Sequence, residues 1–144
     1  MAELSNSEIE RFVADWYKAL DVHEPMVNIL PLLADEGLEM VFPEATLHGK
    51  AAFEGWYQRV IRIFFDEDHR VKSVTVDRQG EDYNLGVVVE WKASVWNPPA
   101  PYSARIMLDA YQRWVVCAHP VTGKPVVRTY IVDRLEYHEG SAKL

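Results

Sequence analysis

Residues 47–65, LHGKAAFEGWYQRVIRIFF, constrain the fold more than any other stretch. The apolar side chains Phe53, Trp56, Tyr57, Val60, Ile61 and Phe64 recur at the spacing of one helical face. Gly49 stands just ahead of them, and Arg59 and Arg62 fall on the wet side. A helix this apolar on one face has to lie against something. The only large apolar surface left in the chain is the run of strand-like segments after residue 70. A long helix covered by a sheet is the expectation, and the rest of the sequence is read around it.

A capping box opens a first helix over 5–21, with Ser5 at the N-cap and Glu8 three residues on. Ile9, Phe12, Val13, Trp16 and Leu20 form its inner stripe, flanked by Tyr17. Pro25 suits the first position of a short second helix, which Pro31 kinks or stops near Leu30. Asp35-Glu36-Gly37 reads as a turn, and 38–42 as a strand closed by Pro43. Residues 44–49 lead into the long helix, and Asp66-Glu67-Asp68-His69 reads as its polar exit. Strands are expected over 71–78, 83–97, 102–118 and 126–137. They are separated by 79–82, by the stiff 97–101 segment with its three prolines, and by 120–125. Strands this long have to bend, and Gly86 is the expected bend point. Helices followed by a meander of strands make an α+β layout in a single domain spanning 1–144.

The charge balance narrows the partners. The net charge of −7, with no basic cluster, excludes nucleic acid and anionic membrane surfaces as partners. The first twenty residues lack a basic start and a long apolar core, so no signal peptide is read there, and no stretch has the length of a membrane span. A single cysteine, Cys117, excludes an intrachain disulfide. A cytoplasmic location is the expectation.

Four segments stand out in this order of elements: WYKALD at 16–21, LLADEG at 32–37, LHGKAAF at 47–53 and GKPV at 123–126. With that order they resemble the nuclear transport factor two-like superfamily, in its SnoaL-like (polyketide cyclase-like) branch. The resemblance implies a cystatin-like α+β fold, with a cone-shaped, curved antiparallel sheet wrapped around the long helix. It further implies a deep apolar cavity and a homodimer through the outer sheet face. The enzyme patterns of the superfamily transfer unevenly. Where ketosteroid isomerase has a carboxylate base before a proline, this chain has Phe42 before Pro43. The isomerase's helix-one tyrosine falls at about Trp16, and its late aspartate falls near Asp109. His48, His119, Tyr17 and Tyr57 have no one-to-one match to the histidine and tyrosine pairs of scytalone dehydratase. Asp109, Arg113 and Asp133 resemble the Asp-Arg-Asp set of limonene epoxide hydrolase only loosely.

Read from the residues themselves, the strand from Tyr102 carries the most informative polar row. Ser103, Arg105, Asp109, Tyr111 and Arg113 share one face, and Ile106, Leu108, Ala110, Trp114 and Val116 share the other. Either Asp109 and Tyr111 point into the cavity, where apolar walls would raise the carboxyl pKa toward acid/base use, or the row faces outward and Asp109 pairs with an arginine. Asp133 is open in the same way, as a cavity or a paired surface residue. His48 is either a cavity acid/base group or a turn residue at the helix start. The candidate catalytic residues are therefore Asp109, Tyr111 and His48. Trp16, Tyr17, Phe42, Trp56, Trp91 and Asp133 are the candidate ligand-binding residues. No two of the five histidines stand at metal-ligand spacing, and no phosphate loop, Walker pattern or GxSxG is present, so neither a metal nor a cofactor is expected. The expected function is binding of a small hydrophobic molecule, with cofactor-free isomerase, dehydratase or cyclase chemistry. The alternatives are a non-catalytic binding or protein-interaction module, and the small subunit of a larger enzyme.

Overall fold

The computed structural model describes residues 3–144. Helix α1 (Asn6–Asp21) opens with the capping box in place: Glu8 N–H donates to Ser5 Oγ, and Ser5 N–H donates to Glu8 Oε1, both at 3.1 Å. Ile9, Phe12, Val13, Trp16 and Tyr17 are its buried residues. Tyr17 is therefore core, and Leu20 is only partly buried because it borders a cavity. Pro25 sits at the N-cap of a single helical turn, α2 (Met26–Ile29), and Pro31 lies in the 3-10 turn (Leu30–Leu32) that follows.

Strands β1 (Glu39–Val41) and β2 (Thr46–His48) form a small antiparallel pair closed by backbone hydrogen bonds between Phe42 and Ala45. The sequence reading had no β2, since three residues with one buried side chain give too short a period to read. Gly49, at φ +83°, turns the chain from β2 into α3 (Gly49–Ile63). Strands β3 (Phe64–Gln79), β4 (Asp82–Val95), β5 (Ala104–Ala118) and β6 (Pro125–Tyr137) complete the chain. They make a curved, unclosed six-stranded sheet in the order β2-β1-β6-β5-β4-β3. Its concave face receives α1 and α3. The sheet is mixed rather than wholly antiparallel, because β1 runs parallel to β6. No helix of the described residues is long and apolar enough to cross a membrane.

Two departures from the sequence reading position the functional groups. Residues 66–69 are not a loop, because β3 starts directly at Phe64. Within it the pairing to β4 slips between Phe65 and Asp68, and Asp66 takes a φ of +52°. A slip of one residue exchanges the faces of a strand. Phe64 faces inward before the irregularity; after it the inward side chains are Glu67, His69 and Val71. A second irregularity lies on β6, where Tyr111 pairs with Arg134 and Gln112 with Val132. Asp133 is the residue left over, and it is exposed on the outer face. Gly86, the expected bend point, lies opposite Thr75; a Cβ there would sit 2.7 Å from Thr75 Oγ1, so any larger residue would have to push the Thr75 side chain aside.

Candidate functional site

Phe53 and Tyr57 of α3 are fully buried, but Trp56, Val60 and Ile61 are only half-buried. Together with Val89, Leu108 and Leu135 of the sheet they enclose a mostly apolar cavity of about 120 Å³. A cavity of about 150 Å³ admits benzene, so this one has room for a single ring, and a larger ligand would reach out through the mouth. Phe42 stacks on Trp56 at 4.1 Å between ring centroids to form one wall. Trp56→Ala is expected to cost about 1–2 kcal/mol in chemical denaturation, less than half of what a fully buried tryptophan costs, since the indole already faces open space.

The β3 irregularity brings His69 into this wall. Asp21, the last residue of α1, receives it: His69 Nδ1 lies 2.5 Å from Oδ1, and the His69 backbone N–H donates to Oδ2 at 2.9 Å. The ring is stacked between Tyr17 at 4.7 Å and Trp91 at 6.0 Å. A carboxylate only accepts, so Nδ1 carries the proton, and a neutral ring held this way has its lone pair on Nε2. Nε2 has no hydrogen-bond partner among the described residues. This is a held imidazole base with a carboxylate behind it, positioned to stabilise the imidazolium it would become.

Gln112 is the one polar side chain in the apolar row of β5 that lines the cavity. Its Oε1 accepts from Tyr17 O–H at 2.7 Å and from Trp114 Nε1–H at 2.9 Å. Tyr17 has only one proton, so Tyr130 donates in the 3.1 Å contact between the two hydroxyls. The chain runs Tyr130 to Tyr17 to Gln112 and occupies the amide oxygen with two donors. That leaves the Gln112 N–H groups as the donors facing the cavity. Burial pushes both tyrosines up, Tyr17 well above the ordinary phenol value, so both stay protonated and the chain keeps this direction.

Glu67 is a further polar group in the wall. Its Oε1 accepts from Trp91 Nε1–H at 3.1 Å, and its Oε2 lies 2.5 Å from His23 Nε2. Tyr57 beneath it donates to the Glu24 carbonyl at 2.7 Å. Burial, helped by the charges of Glu67 and Glu24, pushes the Tyr57 phenol up to about 12.

No family model matches the sequence, and no curated protein does. Solved structures match over most or all of its length. A Nostoc punctiforme protein of unknown function with a cystatin-like fold aligns over 100% of both chains, with a TM-score of 0.72 and 14% identity. A candidate dehydratase of the NTF2-like family from Streptomyces avermitilis aligns over 87% of this chain and 91% of its own, with a TM-score of 0.68 and 12% identity. This is the cystatin-like, nuclear transport factor two-like fold. A candidate scytalone dehydratase of Novosphingobium aromaticivorans shares the nuclear transport factor two-like fold with a TM-score of 0.64 at 16% identity, over 95% of this chain and 90% of its own.

On this nuclear transport factor two-like frame the sequence-derived candidates separate. Phe42, Trp56 and Trp91 line the cavity. Trp16 and Tyr17 lie one layer behind it, fully buried, with Trp16 against Phe53, Trp114 and Tyr130. His48 is exposed at the start of α3 and makes no side-chain cap. Asp109, Tyr111 and Asp133 are on the outer face, so the polar row of β5 points outward, but Asp109 pairs with Lys72 and His138 and not with an arginine. Tyr111 O–H donates to Glu136 at 3.0 Å, and Asp133 takes a two-pronged pair from Arg113 at 2.8 Å. Arg113 holds the Asp133 carboxyl below its ordinary range.

Asp109 is buried on that outer face, between Lys72 Nζ at 2.8 Å and His138 Nε2 at 2.9 Å. Burial pushes its carboxyl up, but Lys72 and His138 outweigh burial and hold it below the ordinary value. That direction is the opposite of the one expected for a carboxyl in an apolar cavity. Glu90, Asp109 and His138 each bring one ligand atom within 4.8 Å of the others, but the Lys72 ammonium already supplies the positive charge there. Because the folded pKa is lowered, the Asp109 contribution to stability is complete above the unfolded value of about 3.9 and is lost as pH falls through the folded one. Asp109→Asn is therefore expected to lower Tm at neutral pH and to bring the Tm of the two proteins together in acid, with turnover unchanged. Lost turnover at unchanged Tm would return Asp109 to the site.

Asp21, Glu67, His69 and Gln112 were not among the sequence candidates. Gln112 had a legible signal, as the polar member of an otherwise apolar alternation. Glu67 and His69 had none, since a polar run after an amphipathic helix reads as a loop.

Proposed function

We propose that the cavity binds a small hydrophobic molecule carrying a carbonyl group and that the protein is a cofactor-free lyase or isomerase acting on it. The observation that carries this reading is the His69–Asp21 pair at the cavity wall. His69 Nε2 takes a proton from the carbon next to the carbonyl, and Asp21 balances the imidazolium that forms. Negative charge moves onto the carbonyl oxygen, where a Gln112 N–H donates. In an isomerisation the imidazolium returns the proton to a different carbon. In a dehydration the enolate expels a β-hydroxyl, the imidazolium protonates it, and water leaves. Each route starts and ends with a neutral ring and needs no redox partner. The likeness to two candidate dehydratases supports the reading at the level of fold.

The proton-abstraction step is tested without knowing the natural substrate. Incubation with cyclic ketones and β-hydroxyketones in deuterated water is expected to exchange the α-hydrogen of those that fit, read by proton NMR. A panel that binds without any exchange above the uncatalysed rate would leave a binding module.

We further place the protein in the cytoplasm, as a homodimer through the outer face of β4, β5 and β6. Charges of that face are paired within it, Arg113 with Asp133 and Arg134 with Glu136, so a second copy would cover it without stranding these pairs. Sedimentation equilibrium is expected to give twice the chain mass.

A further inference from the structure

We propose that the carbonyl compound this cavity accepts is also positively charged, an amine on an aromatic or alicyclic skeleton. The inference rests on the binding reading above and names its ligand class. It starts from the charge of the lining. Although the chain has 15 lysines and arginines, none of them lines the cavity. The charged lining residues are Glu67 in the wall and Glu44 at the rim, and the one titratable base, His69, has its own counter-ion in Asp21. An anionic ligand would be desolvated against Glu67 with no lysine or arginine to meet it.

The walls favour a cation for a second, independent reason. Phe42 and Trp56 stack at 4.1 Å, and Trp91 forms part of the lining, its indole N–H held by Glu67 at 3.1 Å. Aromatic faces attract ammonium groups, most strongly where water is excluded. Glu67 is nearly buried, with 10% of its side chain exposed, and is fixed by Trp91 on one oxygen and His23 on the other. Each oxygen keeps a further lone pair beyond those two contacts. A ligand ammonium placed among the indoles with Glu67 within reach satisfies both features, and its ring fills the apolar space between α3 and the sheet.

The test is calorimetric titration of the full chain with 2-phenylethylamine, 2-phenylethanol and phenylacetate at neutral pH. These share one ring and differ in charge. The amine is expected to bind about tenfold more tightly than the alcohol, and phenylacetate to show no binding. In Glu67→Gln the amine is expected to fall to the affinity of the alcohol, whose own affinity stays the same. Phenylacetate binding as tightly as the amine overturns the inference, as does an amine no tighter than the alcohol; both leave the cavity reading standing. Failure of all three to bind overturns the cavity reading and this inference together. The wild-type series decides the matter by itself if Glu67→Gln does not fold.

Discussion

His69→Gln is expected to reduce α-hydrogen exchange by about 10²- to 10⁴-fold, the range general-base catalysis supplies, while Tm changes little. Glutamine still offers Asp21 an N–H and still fits between Tyr17 and Trp91, but its amide has no basic nitrogen. Asp21→Asn is expected to act on the same step through the ring. It removes the charge that balances the imidazolium and lets the ring turn or change tautomer. Asp21 is a positioning residue, so its loss should shift the pH profile of exchange, whereas His69→Gln should flatten it. Full exchange in His69→Gln would sink the assignment of His69 as the base.

Trp16→Ala carries the largest expected stability loss, about 3–5 kcal/mol, or roughly 10–20 °C in Tm. The indole is 1% exposed and packs against Phe53 at 5.9 Å, Tyr130 at 5.9 Å and Trp114 at 6.2 Å. It joins α1, α3 and two strands at one point. Trp56, forty residues on and equally large, should cost less than half as much because one side already faces the cavity. The contrast between two tryptophans of one protein separates core from cavity wall. Equal losses would mean that the space beside Trp56 is filled in solution.

The contrast also marks what could be read from the sequence. The apolar stripe from Phe53 to Ile61 and the capping box at Ser5 marked the two long helices, because a helical period persists over several turns and is seldom produced otherwise; Phe64, read with that stripe, opens β3 instead. The α+β order and the curved sheet followed from it. The parallel β1–β6 pair did not, since three residues carry no register information. At the site, Phe42, Trp56 and Trp91 were legible as aromatics on inward positions. His69 and Glu67 were hidden because their direction depends on one slipped pairing between Phe65 and Asp68. Strict alternation cannot show where a strand gains a residue. The same limit applies to Asp133, which a similar irregularity leaves on the outer face. On β5 the alternation runs unbroken against β4, and the polar row of Asp109 and Tyr111 stays outward from end to end.

The central claim is that His69 presents an unprotonated Nε2 to the cavity while Asp21 holds the proton on Nδ1. Nitrogen-15 NMR of the imidazole rings tests it directly, with His69→Gln used to pick out the His69 signals. As pH is raised until the ring is neutral, the expected result is the Nδ1–H tautomer, with an Nε2 resonance that moves when a cavity ligand is added. A neutral His69 with its proton on Nε2, or an Nε2 resonance indifferent to every ligand that binds, would contradict it.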